Sequence, residues 1–436
     1  MFFLFPKKRR DYLLNEPLAR VNQWMDDNQP KLIRFLQQLV QEDSTRGNEY
    51  KGQAVIIEKC RELGLALDIW EIGKETTEHP YFYSDRTEFI GNPNVVATLR
   101  GSGGGKSLIL NGHIDVVPIG NRADWKIDPF SGEVKEGKLY GRGSTDMKGG
   151  TAALIYAMEA IKACNIILKG DLIFESVIEE ESGSAGSLAT VLRGYNADGA
   201  IIPEPTNLKI FPKQQGSLWF RIHVFGKSAH GGTRYEGVNA IEKAIQVIQA
   251  IEQLEKRRNA SIHDPLYKNI PIPVPINIGK IASGSWPSSV PDLVVLEGRM
   301  GVKPEEMVED AMVDMDQTLQ LLIKEDPWFN QKPPTLEWFG ARWLPSTIEK
   351  DHQLVTILQD SYKNITGTDA VIEASPWGTD GGMLYHAGKI PVVIFGPGTT
   401  ALAHDSNEYI ELEKVFIAAK TIVQAVLQWC EIDELS

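Results

Sequence analysis

The stretch Leu108-Ile-Leu-Asn-Gly-His-Ile-Asp115 decides how this sequence is interpreted. Its first three residues form a short, continuous apolar run, which is typical of a strand buried on both faces of a parallel sheet. His113 and Asp115 follow that run directly. Because functional sites form at the carboxyl ends of strands in parallel α/β sheets, the stretch predicts a buried strand that ends in a site. In an extended segment, residues two apart point the same way, so His113 and Asp115 are expected on one side.

Similar apolar runs recur along the chain and alternate with helical patterns. Further strands are predicted at residues 65–71, 95–99, 171–178, 199–202 and 392–395, and helices at 30–41, 50–63, 149–164 and 415–429. This alternation predicts an α/β fold with a mostly parallel central sheet flanked by helices. Residues 73–93 are polar, aromatic and irregular, which predicts a surface loop.

Near residue 214 the pattern changes to the order β-α-β-β-α-β, which is the ferredoxin-like unit. Its first helix is predicted to present Ile241, Ala244, Ile245, Ile248 and Ile251 on one face, and its second helix to begin at Pro304. We therefore expect a small α+β domain at 214–346, inserted into a larger domain formed by 1–213 and 347–436.

The composition excludes several classes of protein. The chain has 436 residues and a formal net charge of −13, which argues against non-specific nucleic-acid binding and against docking on an anionic membrane. The three cysteines have no CxxC spacing and indicate a reducing compartment. No apolar run approaches the ~20 residues of a membrane helix. We expect a cytoplasmic protein whose first ten residues are poorly ordered.

Five acidic or histidine-bearing spots are each predicted to follow an apolar strand directly. They contain His113 with Asp115, then Asp146, Glu180 with Glu181, Glu204, and His404. Alone, each spot has an ordinary explanation, such as a solvated strand end or a satisfied core histidine. Asp146 lies in a Gly-rich turn that lacks the Lys-Ser/Thr ending of a phosphate loop. Glu180 and Glu181 are expected to face opposite sides of an extended segment and so to have two different roles.

Charge arithmetic favours metal binding at these spots. Three carboxylates crowded at strand ends would repel one another, and some would take up protons if no cation were present. Two divalent ions and a bridging hydroxide would balance three carboxylates and two neutral imidazoles. Mixed histidine and carboxylate ligation suits zinc, cobalt or manganese, and no cysteine is available for a thiolate site.

The motifs resemble those of the dizinc aminoacylase, acetylornithine deacetylase, succinyl-diaminopimelate desuccinylase and carboxypeptidase G family, and most closely the acetylornithine deacetylase/desuccinylase branch. The matching segments, in the family order, are Leu110-Asn-Gly-His-Ile-Asp-Val-Val-Pro118, Leu139-Tyr-Gly-Arg-Gly-Ser-Thr-Asp-Met-Lys-Gly-Gly150, Glu179-Glu-Glu-Ser-Gly183, Glu204-Pro-Thr206, Gly226-Lys-Ser-Ala-His230 and Ala403-His404. The resemblance implies a zinc-exopeptidase-like catalytic domain and an inserted lid and dimerisation domain.

The resemblance also implies roles for individual residues. Asp146 would bridge two metal ions, most simply zinc, with cobalt or manganese as alternatives. His113 and Glu204 would complete one ion, and Glu181 and His404 the other. Asp115 would orient the His113 ring, and Glu180 would be the general base. His230 would reach the reacting carbonyl, often from the partner subunit, and Arg299 would bind a substrate carboxylate.

The implied activity is removal of an N-acyl group from an amino acid or related amine by a homodimer that uses no nucleic acid or membrane. A metallo-dipeptidase or carboxypeptidase, and a deformylase of a heterocyclic N-formyl amine, remain alternatives on the same centre. A binding protein without catalysis would lack a ligand or the base, and none is missing. One departure from the family pattern is Ser288, which stands where the family has asparagine and leaves substrate identity open.

Overall fold

The computed structural model describes residues 7–433. The first six of the ten N-terminal residues that were predicted to be poorly ordered lie outside this range, and residues 7–10 begin a helix. The helices are Lys7–Asp27 (α1), Gln29–Gln41 (α2), Glu49–Glu62 (α3), Lys74–Thr77 (α4), Gly149–Ala163 (α5), Ala185–Leu192 (α6), Ala240–Ala260 (α7), Val308–Glu325 (α8), Pro327–Gln331 (α9), Gln353–Thr366 (α10), Gly381–His386 (α11) and Leu412–Trp429 (α12).

Most strands are short, as the apolar runs indicate. They are Ala66–Glu71 (β1), Pro93–Leu99 (β2), Leu108–His113 (β3), Glu133–Lys135 (β4), Lys138–Tyr140 (β5), Leu172–Val177 (β6), Ala200–Ile202 (β7), Ile210–Gln214 (β8), Gly216–Phe225 (β9), Ala229–His230 (β10), Ile276–Ser283 (β11), Ser289–Val290 (β12), Leu293–Val302 (β13), Thr335–Trp343 (β14), Ser346–Thr347 (β15), Ile372–Ser375 (β16), Val392–Ile394 (β17) and Tyr409–Glu411 (β18).

The chain divides into two compact units. Unit 1 comprises the residues up to Lys213, Thr347–Glu373, and the residues from Thr379 onwards. Unit 2 comprises Gln214–Ser346 together with Ala374–Gly378. The short second piece of unit 2 includes the end of β16, a contribution that the sequence pattern did not indicate.

Unit 1 is built on a large mixed sheet with the strand order β1-β2-β6-β3-β7-β17-β8-β15, and β16 pairs with β8. The neighbours β6, β3, β7 and β17 run parallel, whereas the pairs β1–β2, β2–β6 and β17–β8 run antiparallel. Every residue of β3 and β6 is buried, as expected for central strands covered on both faces. The predicted parallel centre of the sheet with flanking helices is confirmed, and the antiparallel pairs lie towards the edges of the sheet.

The helices of unit 1 bury this sheet by apolar packing. Helix α5 is buried almost all round and packs against α1, α2 and α12. Helix α6 packs against β2, β6 and α11. The helices of the described residues all fall short of the length and apolarity needed to cross a bilayer. Cys60, Cys164 and Cys430 are free thiols.

The segment 73–93 is not the simple surface loop that its polarity predicted. Phe89 is 2% exposed, and Ser84 and Asn92 are buried as well. The segment also contains the short helix α4. The polar residues that suggested a loop make hydrogen bonds inside unit 1, so their polarity did not indicate exposure.

Unit 2 contains a four-stranded antiparallel sheet in the order β11-β13-β9-β14, which is the ferredoxin-like arrangement. Helices α7 and α8 pack against β9 and β13. The alternation of β9 is confirmed, because Leu218, Phe220, Ile222 and Val224 are fully buried and the residues between them are half-buried.

Two details of the helices in unit 2 were predicted wrongly. In α7, Ile241 and Ile245 are 42% and 49% exposed, and the buried face instead carries Ala240, Ala244, Val247, Ile251, Leu254 and Arg258. The buried stripe is therefore rotated relative to the isoleucine pattern. Helix α8 begins at Val308, four residues later than the proline signal indicated.

Candidate active site

Neighbouring parallel strands bring several candidate residues to one edge of the sheet. His113 is the last residue of β3, and Glu204 follows β7 by two residues. Glu180 and Glu181 lie in a single helical turn directly after β6. His404 lies in the loop between β17 and β18. Because β6, β3, β7 and β17 are consecutive in the sheet, these side chains converge at their carboxyl ends.

Asp146 reaches the same place from a different element, which corrects the expectation that it follows a strand of the main sheet. It follows β5, which belongs to a small three-stranded sheet with β4 and β18. The turn between β5 and α5 contains Gly141 and Gly143 at φ 146° and 79°, conformations that favour glycine. The Asp146–Met147 peptide bond is cis.

The first group of donors consists of His113, Asp146 and Glu204. His113 Nε2 lies 3.3 Å from Asp146 Oδ1 and 3.8 Å from Glu204 Oε1. The His113 side chain has no exposed surface, and its Nε2 makes no hydrogen bond of acceptable geometry. A buried ring nitrogen that has no hydrogen-bond partner and faces carboxylate oxygens is suited to bind a cation together with them.

The second group consists of Asp146, Glu181 and His404. His404 Nε2 lies 3.4 Å from Asp146 Oδ2 and 3.2 Å from both carboxylate oxygens of Glu181. The two oxygens of Asp146 thus face one histidine each. The His404 side chain is 54% exposed, so the second group is much more open to solvent than the first.

The donor chemistry of both groups fits divalent metal ions. Within each group the ligand atoms all lie within 4.8 Å of one another, close enough to contact a common ion. Imidazole nitrogen and carboxylate oxygen are the ligands that zinc, cobalt and manganese take together. Asp146 belongs to both groups and contributes one carboxylate oxygen to each.

The histidines and carboxyl groups of this site shift one another's pKa values. Burial disfavours a charge on His113, but the neighbouring carboxylates of Asp146 and Glu204 raise its pKa well above the usual value. Hydrogen bonds to Asp146 and Glu181 raise the pKa of His404 to about 11. Burial raises the pKa of Glu180 and Glu204 far above that of a free carboxyl group. For Asp146, burial alone would raise the pKa, but the two histidines lower it.

The His113 ring is held by the main chain of Asp115 rather than by its carboxylate. His113 Nδ1 lies 2.8 Å from the Asp115 carbonyl oxygen, whereas the nearest Asp115 carboxylate oxygen is 3.7 Å away. That carboxylate instead accepts hydrogen bonds from the backbone N–H groups of Glu180 and Glu181. Asp115 therefore connects the His113 strand to the turn that carries the predicted base.

The turn that carries Glu180 is not extended, contrary to the prediction. Glu179 has φ 65°, and Glu180–Ser182 form one helical turn. The Glu179 carboxylate is fully buried and accepts hydrogen bonds from Arg46, Arg86 and Ser84 at 2.7–3.0 Å. Two of these donors come from the segment 73–93. Sequence reasoning missed this ionic anchor because no local pattern connects residues so far apart.

Two further buried carboxyl groups were missed for the same reason. Asp380, at the start of α11, is 1% exposed, and burial raises its pKa to about 6. Neither of its oxygens has a partner with full hydrogen-bond geometry, although the hydroxyls of Ser184 and Ser187 lie close enough to oppose the pKa shift. Glu408, after His404, is buried against the Asp146 turn.

The remaining predicted residues lie in unit 2. His230 ends β10, is exposed, and accepts a hydrogen bond from the Gly232 backbone N–H through Nδ1. Ser288 adjoins it, since its carbonyl accepts a hydrogen bond from Gly231. Arg299 lies on β13 in the four-stranded sheet, directly opposite Trp219. Burial lowers its pKa to about 10.

The buried Glu175 on β6 gives the metal-free protein a testable pH dependence. Its side chain accepts a hydrogen bond from Asn111, and burial raises its pKa from 4.5 to about 7. A carboxyl group whose pKa is raised by folding stabilises the fold fully below its unfolded pKa, and this stabilisation is lost as the pH rises through the folded pKa. The free energy of unfolding of Glu175→Gln should therefore increase relative to that of wild type, by about 2–3 kcal/mol as the pH rises from about 5 to about 8.

Denaturant unfolding of the chelated proteins at both pH values measures this difference. Glu62→Gln is the matched control, because it removes a carboxylate whose side chain is 61% exposed. Its difference in unfolding free energy from wild type is not expected to grow with pH. A Glu175→Gln difference that stays constant with pH would contradict the burial argument.

Comparisons with known proteins identify the family of this chain. The model of the peptidase family M20/M25/M40 matches residues 109–428. The N-formyl-4-amino-5-aminomethyl-2-methylpyrimidine deformylase of Halalkalibacterium halodurans is 32% identical over 445 residues, covering 96% of this chain and 98% of that protein. A probable succinyl-diaminopimelate desuccinylase of Staphylococcus aureus is 26% identical, covering 91% and 97%.

A solved structure gives the same result. The crystal structure of a tripeptidase from Staphylococcus aureus matches with a TM-score of 0.71 and 25% identity, covering 92% of this chain and 99% of that one. The predicted family resemblance and the hydrolase class are confirmed. This chain therefore belongs to the peptidase family M20/M25/M40, whose members are metal-dependent hydrolases of amide bonds.

Proposed function

We propose that this protein uses two divalent metal ions, most simply zinc, to remove an N-acyl group from an amino acid or a related small amine. The observation that carries the proposal is the position of Asp146, whose Oδ1 faces His113 and whose Oδ2 faces His404. In this assignment His113 and Glu204 would hold one ion, Glu181 and His404 would hold the other, and Asp146 would be a ligand of both. Cobalt or manganese would suit the same donors.

Glu180 is the general base in this proposal. When bound, the metal pair supplies a water molecule of lowered pKa and a Lewis acid for the substrate carbonyl. Glu180 takes the proton from the attacking water and later gives it to the leaving nitrogen. Its location supports this role, since it is 6% exposed and its backbone N–H is held by Asp115. A base in a fixed turn loses little orientation freedom as the reaction proceeds.

His230 is assigned to the developing negative charge on the carbonyl oxygen. Its ring is exposed at the end of the short strand β10, so it is accessible to a ligand. We expect His230→Ala to lower kcat by roughly 10²–10³-fold with no loss of metal, because one oxyanion donor is removed. Turnover assays and elemental analysis of the purified variant measure both quantities.

Mixing the His230→Ala and Glu180→Ala proteins tests whether His230 acts across a dimer. If it acts in trans, mixed dimers contain one intact site and recover part of the activity. Absence of recovery in dimers whose mixed composition has been verified would assign His230 to its own subunit.

Arg299 supports an acidic group on the substrate. Within residues 16–433 its guanidinium makes no ion pair, hydrogen bond or aromatic contact, although the residue is half-buried. A half-buried guanidinium without a partner favours an anion such as a carboxylate. Trp219, opposite it on β9, packs against Phe339 and Trp343 with ring centroids 6.1 Å apart, so apolar surface adjoins the cation. An N-acyl amino acid has a carboxylate that could pair with Arg299 and apolar groups that could pack on this surface.

Exposed apolar side chains in unit 2 support a homodimer. Ile241 and Ile245 project from α7, and Ile281 on β11 is 58% exposed. β11 pairs only with β13 among the described residues, so its other edge is open. An open strand edge beside exposed isoleucines is typical of a surface that a second copy covers.

The relatives leave three substrate classes to be separated. One relative is named for deformylation of a pyrimidine, another for desuccinylation of diaminopimelate, and a structural neighbour is a tripeptidase. A hydrolysis screen of the zinc-loaded protein should include N-acetylated and N-succinylated amino acids, N-formylated heterocyclic amines and short peptides. We expect turnover of N-acyl amino acids. Exclusive turnover of peptides or of N-formyl heterocycles would favour the corresponding alternative, and absence of amide hydrolysis would refute the proposal.

A further inference from the structure

Glu408 connects the two loops that carry Asp146 and His404. Its carboxylate has almost no exposed surface. Oε2 accepts hydrogen bonds from the backbone N–H of Gly143 at 2.9 Å and from Arg142 Nη1 at 2.7 Å. Oε1 accepts from the backbone N–H groups of Thr145 at 2.8 Å and Asp146 at 3.2 Å. One carboxylate thus accepts hydrogen bonds from three backbone N–H groups of a single turn. Such a turn forms a small anion-binding concavity, and the bound carboxylate fixes its conformation.

Arg142 compensates the charge of Glu408 and is itself well held. Its side chain is 2% exposed and its guanidinium lies 5.1 Å from the centre of the Trp125 ring. The Gly141 N–H also donates to the Glu408 carbonyl oxygen, and β18 pairs with β5 immediately beside this contact. The segment from His404 to β18 is therefore attached to the Asp146 turn through both backbone and side chain.

We propose that Glu408 is a positioning residue that fixes Asp146 relative to His404 and thereby selectively strengthens metal binding by the Asp146–Glu181–His404 group. This inference rests on the binuclear centre of the proposed function. Hydrogen-bonded partners of ligands orient those ligands, and their loss costs metal affinity. Glu408 touches no ligand side chain, so it acts through the backbone that carries them.

The two groups differ in how much they depend on this connection. The His113 ring is fully buried at the end of a central strand and is held by the Asp115 carbonyl. The His404 ring is 54% exposed and lies in a loop where His404 has φ 63°. Loss of the Glu408 contacts should therefore affect the second group more than the first.

Metal titration of the full-length protein tests this. Glu408→Gln keeps the size of the side chain, but its amide can accept hydrogen bonds through only one of the two terminal atoms. Glu411→Gln is the matched control, because it lies three residues further on and its side chain is 43% exposed. Each chelated protein is titrated with Co²⁺ against a competing chelator, and binding is followed by visible absorption and by elemental analysis.

We expect wild type and Glu411→Gln to bind two equivalents. Glu408→Gln should bind the first equivalent like wild type and the second roughly 10–100-fold more weakly. Glu408→Asp keeps the charge but shortens the side chain, and it should show the same selective loss; it replaces Glu408→Gln if that variant does not fold.

If Glu408→Gln binds both equivalents of Co²⁺ more weakly to the same extent, or binds both with unchanged affinity, the positioning role is overturned and the proposed function remains intact. A wild-type protein that binds a single equivalent would refute the binuclear centre, and with it this inference. Near-ultraviolet circular dichroism of the chelated variants is expected to match wild type.

Discussion

Replacing Glu180 by glutamine is expected to lower kcat by roughly 10²–10⁴-fold while both metal ions remain bound. The amide is nearly the same size as the carboxylate but cannot take a proton from water. Glu180 belongs to neither donor group, so its loss leaves the metal ligands complete. The measurements are turnover of the best substrate from the hydrolysis screen and metal content of the desalted protein.

Two controls make this result specific. Glu62→Gln changes the charge by the same amount on the exposed side of α3, and its kcat should equal that of wild type. The KM of Glu180→Gln should change much less than its kcat, because the base acts after the substrate has bound. Turnover at the wild-type rate would show that another group accepts the proton.

Replacing Asp146 by alanine is expected to abolish stable metal binding and, with it, activity. This residue contributes one carboxylate oxygen to each group, so a single substitution removes a donor from both. Glu204→Ala and His404→Ala each remove a donor from one group only. Elemental analysis after dialysis should therefore find close to no metal in Asp146→Ala and about one equivalent in each of the other two variants.

The comparison among these three variants separates a shared ligand from an ordinary one. If Asp146→Ala retains as much metal as Glu204→Ala, Asp146 serves only one ion. Thermal unfolding adds a second readout, since added metal should raise the midpoint of wild type strongly and that of Asp146→Ala little.

The parts of the site that sequence predicted are those encoded by local pattern. The apolar run 108–110 followed by His113 predicted a buried strand with a donor at its end, and the structure has both. The β-α-β-β-α-β order of 214–346 likewise predicted the antiparallel sheet of unit 2. Periodicity works here because the spacing of apolar residues along a strand or helix determines which of its faces is buried.

The parts that sequence did not predict depend on contacts between distant segments. Nothing near Glu179 in the chain indicates that Arg46 and Arg86 will bind it, and the polarity of 73–93 pointed towards solvent. The orientation of α7 was wrong because Ile241 and Ile245 satisfy a helical period on a face that unit 2 does not bury. The sequence also did not predict the contacts of Glu408, since its hydrogen-bond partners lie some 260 positions earlier in the chain.

The place of unit 2 in the sequence sets the order in which the candidate metal ligands become available. During biosynthesis the ribosome delivers His113, Asp146 and Glu204 before it translates any of unit 2, whereas His404 and Glu408 emerge only after it. The donors of the buried group are thus available to a nascent chain first, whereas the exposed group lacks His404 until the last tenth of translation. In the proposed binuclear centre, the second ion can therefore find its full donor set only on a chain that already contains the whole inserted unit.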